Sequence, residues 1–326
     1  MLLLLSPGIP EYLSGSSAWS ALILNPGLFL FQIAANLGLY GPGVILIREA
    51  KVRWHKGWAT VLLLGTAYGI LEEGDALSTL FDPKSNAAGV LGTFGHWLGV
   101  SWVWASGVLL VHMVYSISLP ILLVGLAFPE TRERSLLSNR GICPAFAILG
   151  ADVLLLALFI VRAIHFWMGV PVLIGSFVAI GVLVYLARRA PANWPSRRQA
   201  GPRRGIRFTV LAGVVIYPAV ILIEAFSARL GNPVLTLLLV LAWEYFSLRW
   251  VIGNLNFAGN ERYLTAFALG LLIPLFVSGL IVNFPVELVV VEDVALLLFF
   301  RYLFRLYPSG TVRAGATSPA QPTPAA

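Results

Sequence analysis

The run Tyr68-Gly69-Ile70-Leu71-Glu72-Glu73-Gly74-Asp75 sets three acids inside an otherwise apolar stretch, and His112 stands in the next apolar stretch with Tyr115 and Ser116 one turn further on. Two adjacent carboxylates in a low-dielectric setting do not ionise together easily, which leaves a proton donor beside an acceptor. An imidazole brought to them completes a set able to activate water for peptide or ester hydrolysis. The same groups suit a proton relay, or one divalent metal held by oxygen and imidazole ligands, so the sequence assigns no particular metal or other cofactor. Glu224, Glu292 and Asp293 are further acids in apolar runs, and Asp152 and Arg162 share another. An ionisable side chain at the centre of a bilayer costs about 2.5–3.5 kcal/mol on insertion scales, which makes each a functional candidate. The alternative is that they hydrogen-bond between helices and only fix packing. That alternative weighs most for Asp152 and Arg162, and Glu244 is expected near a basic helix end where it pairs with Arg249 or a loop cation.

The bilayer follows from composition. Of 326 residues, 58% are hydrophobic and 11% charged, against about 45–50% and 25% in soluble domains. So few charges cannot cover a water-facing surface. The single cysteine, Cys143, excludes an intrachain disulfide and a cysteine metal cluster. His55, His96, His112 and His165 form no HExxH motif. The net charge of +7 reads as basic loops kept on the cytoplasmic side, and nucleic acid is not expected as a partner.

Apolar runs this continuous exclude the alternating strands of a barrel and call for helices of about 20 residues. Nine spans are expected, near 27–49, 58–80, 97–127, 143–165, 168–187, 208–229, 233–250, 263–283 and 286–306, in an all-α polytopic transmembrane bundle. The apolar start at 1–5 is too short for a signal-peptide core and has no basic region before it, so the stretch up to residue 18 reads as an uncleaved, partly interfacial lead-in. With nine spans, all but three of the 22 Lys and Arg residues fall on one side; the exceptions are Lys84, Arg162 and Arg229. The positive-inside rule then puts the N-terminus outside and the C-terminus in the cytoplasm of a cell membrane. Trp54 and Trp58 at the inner end of the second span, and Trp97, Trp102 and Trp104 at the outer end of the third, suit interfacial belts. The expected partner is the lipid bilayer itself, with anionic headgroups against the arginine-rich connection at about 190–206. Residues 1–307 read as one integral helical domain, and 308–326 as a disordered cytoplasmic tail. No internal repeat stands out.

At 1.5 Å per residue, Glu72 and His112 each come out roughly 21–23 Å from the basic side, and Glu224 and Glu292 lie at similar depth. Gly65, Gly69 and Glu73 recur every four residues and form one stripe, and Ser101, Ala105, His112 and Ser116, spaced four, seven and four, form another on the third span. Small residues at that spacing let helices approach closely. The second and third spans are therefore expected to pack through these stripes and bring a carboxylate to His112, with Glu72 turned about 100° away toward another neighbour.

Several of these segments carry a likeness. Leu39-Tyr40-Gly41 through Leu46-Ile47-Arg48-Glu49, then Ala67-Tyr68-Gly69-Ile70-Leu71-Glu72-Glu73-Gly74, Phe81-Asp82-Pro83, Trp97-Leu98-Gly99-Val100, Trp102-Val103-Trp104, Ser116, Leu119-Pro120-Ile121 and Phe128-Pro129 resemble a family of uncharacterised prokaryotic multipass membrane proteins. That resemblance covers about the first 130 residues and implies a prokaryotic cell membrane. More distantly, Glu72-Glu73 and His112 are similar to the EExxxR and FxxxH motifs of the CAAX-protease and bacteriocin-processing (CPBP, Abi) glutamate intramembrane proteases. The motif Arg is Leu77 here, the motif Phe is Val108, and no third intramembrane histidine follows in an HxxxN context. The resemblance implies Glu72 or Glu73 as water activator and His112 as its assistant. Three readings stay open: an intramembrane protease-like hydrolase, a proton- or cation-coupled transporter, and a non-catalytic membrane scaffold.

Overall fold

The structure, a computed structural model, describes residues 1–17, 19–195, 204–256, 259–282 and 286–308. Helix α1 (Leu2–Pro7) runs on as a π-helical turn over Gly8–Leu13 and is followed by short α2 (Ser20–Leu24) and long α3 (Pro26–Arg53). Helix α4 (Trp58–Gly69) continues as a π segment, Ile70–Ala76. Helices α5 (Trp102–Val111) and α6 (Leu119–Ala127) are joined through a π segment, His112–Ser118, into one rod. Then come α7 (Asn139–Ile164), α8 (Val170–Arg189), α9 (Ile206–Ala228), α10 (Pro233–Leu255), α11 (Glu261–Val282) and α12 (Val286–Leu306). The expected tail from 309 onward, and Arg197, Arg198 and Arg203 of the basic connection, lie outside the described residues.

Seven helices are long and apolar enough to cross a membrane: α3, the rod Trp102–Ala127, and α7 to α11. Two of the nine expected spans are not among them. Segment 58–76 carries Glu72, Glu73 and Asp75, and α12 carries Glu287, Glu292, Asp293, Arg301 and Arg305. Both still have the length, about 28 and 32 Å at 1.5 Å per residue. Inside the bundle, 67% of the most apolar window of the rod is buried, against 6% for α7 and 11% for α8 and α10. Thus α3, the rod and α11 are central, and α7 to α10 form a rim. That rim exposes Leu155, Phe159, Val178 and Phe246, a surface suited to acyl chains and not to water.

Two expected boundaries shift at the loop between the second and third spans. The helix expected over 58–80 ends at Ala76, and the one expected from 97 starts at Trp102. Strands β1 (His96–Trp97) and β2 (Val100–Ser101) form a small antiparallel hairpin there. Its turn residues Leu98 and Gly99 have φ of 55° and 76°, as a two-residue hairpin turn requires. Ser101, expected on the helical stripe with His112, instead donates to the Gly92 carbonyl at 2.8 Å.

The N-terminal stretch also differs from the interfacial lead-in expected. Leu2, Ser6, Ile9 and Leu13 are buried in the bundle; their spacing of four, three and four residues puts them on one helical face. The Ser6 hydroxyl donates to the Ser116 carbonyl at 2.6 Å.

On the basic side, Glu49 is 1% and Arg48 4% exposed, 3.2 Å apart. Glu49 also pairs with Arg53 at 2.9 Å and accepts from the Leu136 N–H at 2.6 Å and from the Ser135 hydroxyl. Arg48 donates to the Thr131 carbonyl and, at 2.8 Å, to that of Arg134. Lys56 reaches the Ala190 carbonyl at 2.8 Å, and Arg132 bridges Glu261 and the Tyr307 hydroxyl. The basic ends of α3, the rod, α8, α11 and α12 therefore meet on one face.

Helices α9 and α11 cross through glycine. A Cβ on Gly213 would sit 2.6 Å from the Phe267 carbonyl oxygen, and one on Gly270 would run into the Val210 carbonyl. Backbone cannot rotate aside as a side chain can. Gly270→Ala is expected to cost about 1–3 kcal/mol through overpacking, read as a lower melting temperature in detergent. Gly253→Ala, with nothing within 4 Å, should not lower it; equal losses in the two variants would contradict the crossing.

Candidate functional site

Helix α4 and the rod approach as closely as the glycine stripe predicts. A Cβ on Gly65 would lie 3.1 Å from the Met113 Cα, and one on Gly69 3.1 Å from the His112 Cβ. This contact carries His112 to both glutamates. Its Nε2 is 2.9 Å from Oε1 of Glu73, and its Nδ1 is 2.9 Å from Oε2 of Glu72. Ser116 Oγ lies 3.1 Å from the same Nδ1. The expectation that Glu72 faces a different neighbour is overturned, and backbone geometry explains why. Residues 70–76 are π-helical. The wider i→i+5 turn brings successive side chains closer than the 100° of an α-helix, so one imidazole meets two consecutive residues. His112 itself opens a second π segment.

The two glutamates are held differently. Glu73 is fastened at both oxygens: Oε1 by His112, Oε2 by the Thr79 hydroxyl, which in turn accepts from Trp104 Nε1 at 3.2 Å. Glu72 is buried too; its Oε2 is 2.9 Å from Nδ1, a nitrogen that Ser116 Oγ shares, and Tyr68 stands beside it. Glu73 is thus a clamp held at both oxygens, whereas Glu72 meets His112 through Oε2.

Aromatic rings close the site from α3 and α4. The ring centres of Tyr40 and Tyr68 are 6.2 and 6.3 Å from that of His112. The Tyr40 hydroxyl donates to Glu11 Oε1 at 2.5 Å, and Ser17 donates to the other Glu11 oxygen at 2.8 Å. Glu11 lies in the third π segment, Gly8–Leu13. Sequence reading missed it; the signal available was the single face formed by Leu2, Ser6, Ile9 and Leu13, which marks this stretch as a packed helix.

The other candidates do not converge here. Asp75 turns to α8, where Ser176 donates to it at 2.6 Å. Tyr115 packs on Tyr217, ring centres 5.7 Å apart, and its hydroxyl has no partner. Glu224 lies against Gly107, a turn and more from His112, and Glu292 lies against Gly8. Asp293 is buried on α12. Asp152 is the exception: it packs on Gly38 of α3 and lies within electrostatic range of Glu72 and Tyr68. Glu244, expected near a helix end, stands in the middle of α10 because that helix runs on to Leu255. The common layer inferred from depth therefore does not form: the acids are dispersed around the bundle, and Glu224 stands more than a turn along the rod from His112.

Among the described residues no group of three or more His, Cys, Asp or Glu side chains is arranged to hold a metal ion. With both ring nitrogens of His112 against carboxylates, the trio grips itself. What it can do as it stands is hold and pass protons. No family model, curated protein or solved structure matches this chain.

Proposed function

We propose that this chain is a nine-span protein of a prokaryotic cell membrane, N-terminus outside and C-terminus cytoplasmic, and that Glu72, Glu73 and His112 form an intramembrane acid–base site of a protease-like hydrolase. The nine-span reading is supported by the length of 58–76 and α12 and by the basic helix ends gathered on one face. The observation that carries the catalytic reading is the placement of His112, each ring nitrogen 2.9 Å from a different carboxylate. Glu11, the two glutamates and His112 each lie in a π segment, which supports it, since such distortions of a helix concentrate at functional sites. The likeness to glutamate intramembrane proteases points the same way.

In this reading Glu72 takes a proton from water as the oxygen adds to a carbonyl carbon, then gives it to the departing amine or alcohol. His112, held by Glu73 and Ser116, fixes the Glu72 carboxylate and balances charge beside it. Glu72 and His112 are 1% and 3% exposed, so the site is closed in this conformation and water enters only on rearrangement.

That closure favours one other reading, a proton-coupled transporter in which the trio binds and releases protons between states. A comparison of membranes from cells making the wild type and His112→Ala separates them. A hydrolase yields peptide fragments cut within membrane segments, present only with the wild type. Proton uptake into proteoliposomes, lost in His112→Ala, with no fragment difference, would leave the transporter. Neither difference, with His112→Ala folded, would leave the scaffold.

A further inference from the structure

On the opposite side of the α4–rod contact, a half-open groove of about 1060 Å³ lies between α4, the rod, α10 and α11. It is lined by Thr66 and Met113 and not by His112, Glu72 or Glu73, so what it binds does not depend on the catalytic reading. Its wall is apolar: Leu63, Met113, Leu248, Val251, Ile252 and Phe267. At the basic face it ends on Lys51, His55 and Lys56, with Asn193, Asn256 and Asn260 around them.

We propose that this groove is a binding site for one anionic phospholipid, its phosphate at Lys51 and Lys56 and an acyl chain laid along the apolar wall. The volume is at the upper end of small-molecule pockets, about 300–1,000 Å³. Charge selects the headgroup. Lys51 pairs with Glu133 at 2.9 Å, and Lys56 donates to the Ala190 carbonyl at 2.8 Å. An ammonium has three donors, so each bond leaves two for a phosphate, and the mouth stays net positive after Glu133 is counted. Basic pockets between membrane helices hold anionic headgroups in this way. A free phosphate would satisfy the mouth and leave the apolar wall empty; a neutral lipid would fill the wall and leave the lysines unused. Glu244 also lines the groove, with Oε1 buried and unpartnered. It stands midway along α10, beyond the reach of a headgroup at the mouth, beside the chain.

Native mass spectrometry of the full chain in detergent, titrated with phosphatidylglycerol or phosphatidylcholine, tests this. One phosphatidylglycerol per chain is expected to bind at least tenfold more tightly than phosphatidylcholine. The double variant Lys51→Gln/Lys56→Gln should weaken phosphatidylglycerol about thirty-fold, the share of two surface lysines, and leave phosphatidylcholine unchanged. Leu248→Trp, which narrows the groove about two helical turns from Asn256 at the mouth, should remove the one-to-one adduct while the melting temperature holds. Equal affinity for both lipids, full displacement by inorganic phosphate, or an adduct unaffected by both variants would each overturn the proposal.

Discussion

Glu72→Gln is expected to lower turnover by about 10²- to 10⁴-fold, the range that a general base contributes, while the melting temperature stays within a few degrees. Gln has the size and shape of Glu and leaves the packing of residues 70–76 intact, but it takes no proton from water. Glu73→Gln is expected to lose less, about tenfold. Its amide oxygen can still accept from His112 Nε2, and its NH₂ can face Thr79, so the clamp survives without its charge. The measurement is the rate of cleavage of a fragment-yielding substrate found by the wild-type comparison above. A larger loss in Glu73→Gln would exchange the two roles, and full activity in both variants would remove the hydrolase reading.

Glu49→Ala has the largest expected effect on stability, a loss of about 3–5 kcal/mol, because it leaves a buried charge without its partner. Arg48 is 4% exposed and would keep only the Thr131 and Arg134 carbonyls. The Leu136 N–H and the Ser135 hydroxyl would lose an acceptor in the same step. Removing both charges is a different experiment. Arg48→Met/Glu49→Leu leaves no buried ion, and such replacements are often neutral or stabilising. Denaturant or thermal unfolding in detergent therefore should rank the double variant above the single one. The opposite ranking would show that the pair, and not the orphaned arginine, carries the effect.

Helicity, the lipid-facing rim and the gathering of basic residues on one face were readable because they depend on sums over many residues. Twenty apolar side chains in a row leave the backbone no partner but its own helix, and no tertiary contact is needed to know it. Pairing of Glu73 with His112 was readable for a related reason: Gly65 and Gly69 on one stripe create a groove wherever the partner comes from. Segment 58–76 and α12 are less apolar than the other seven because of their own charges, Glu72, Glu73 and Asp75 in the first and Glu287, Glu292, Asp293 and Arg301 in the second.

What pattern could not reach is set by long-range contacts. A π-turn is rare and leaves no periodic mark, and residues 70–76 look no different in period from an ordinary helix. The segment 70–76 packs on α7 and α8, and with its wider turn one histidine meets two consecutive glutamates. Glu11 reaches the site, through Tyr40, because a short apolar segment folds into the bundle and not along its surface. Arg48 and Glu49 stand at the basic end of α3, and the 131–139 connection folds over them and buries both. Lateral position around a bundle axis leaves no trace in depth or composition, so the dispersal of Asp75, Glu224, Glu292 and Asp293 could be learned only from how the helices sit against one another. The chain's own chemistry therefore dictates a membrane bundle with acid and histidine at one depth, and the neighbours each helix finds dictate which of those groups touch.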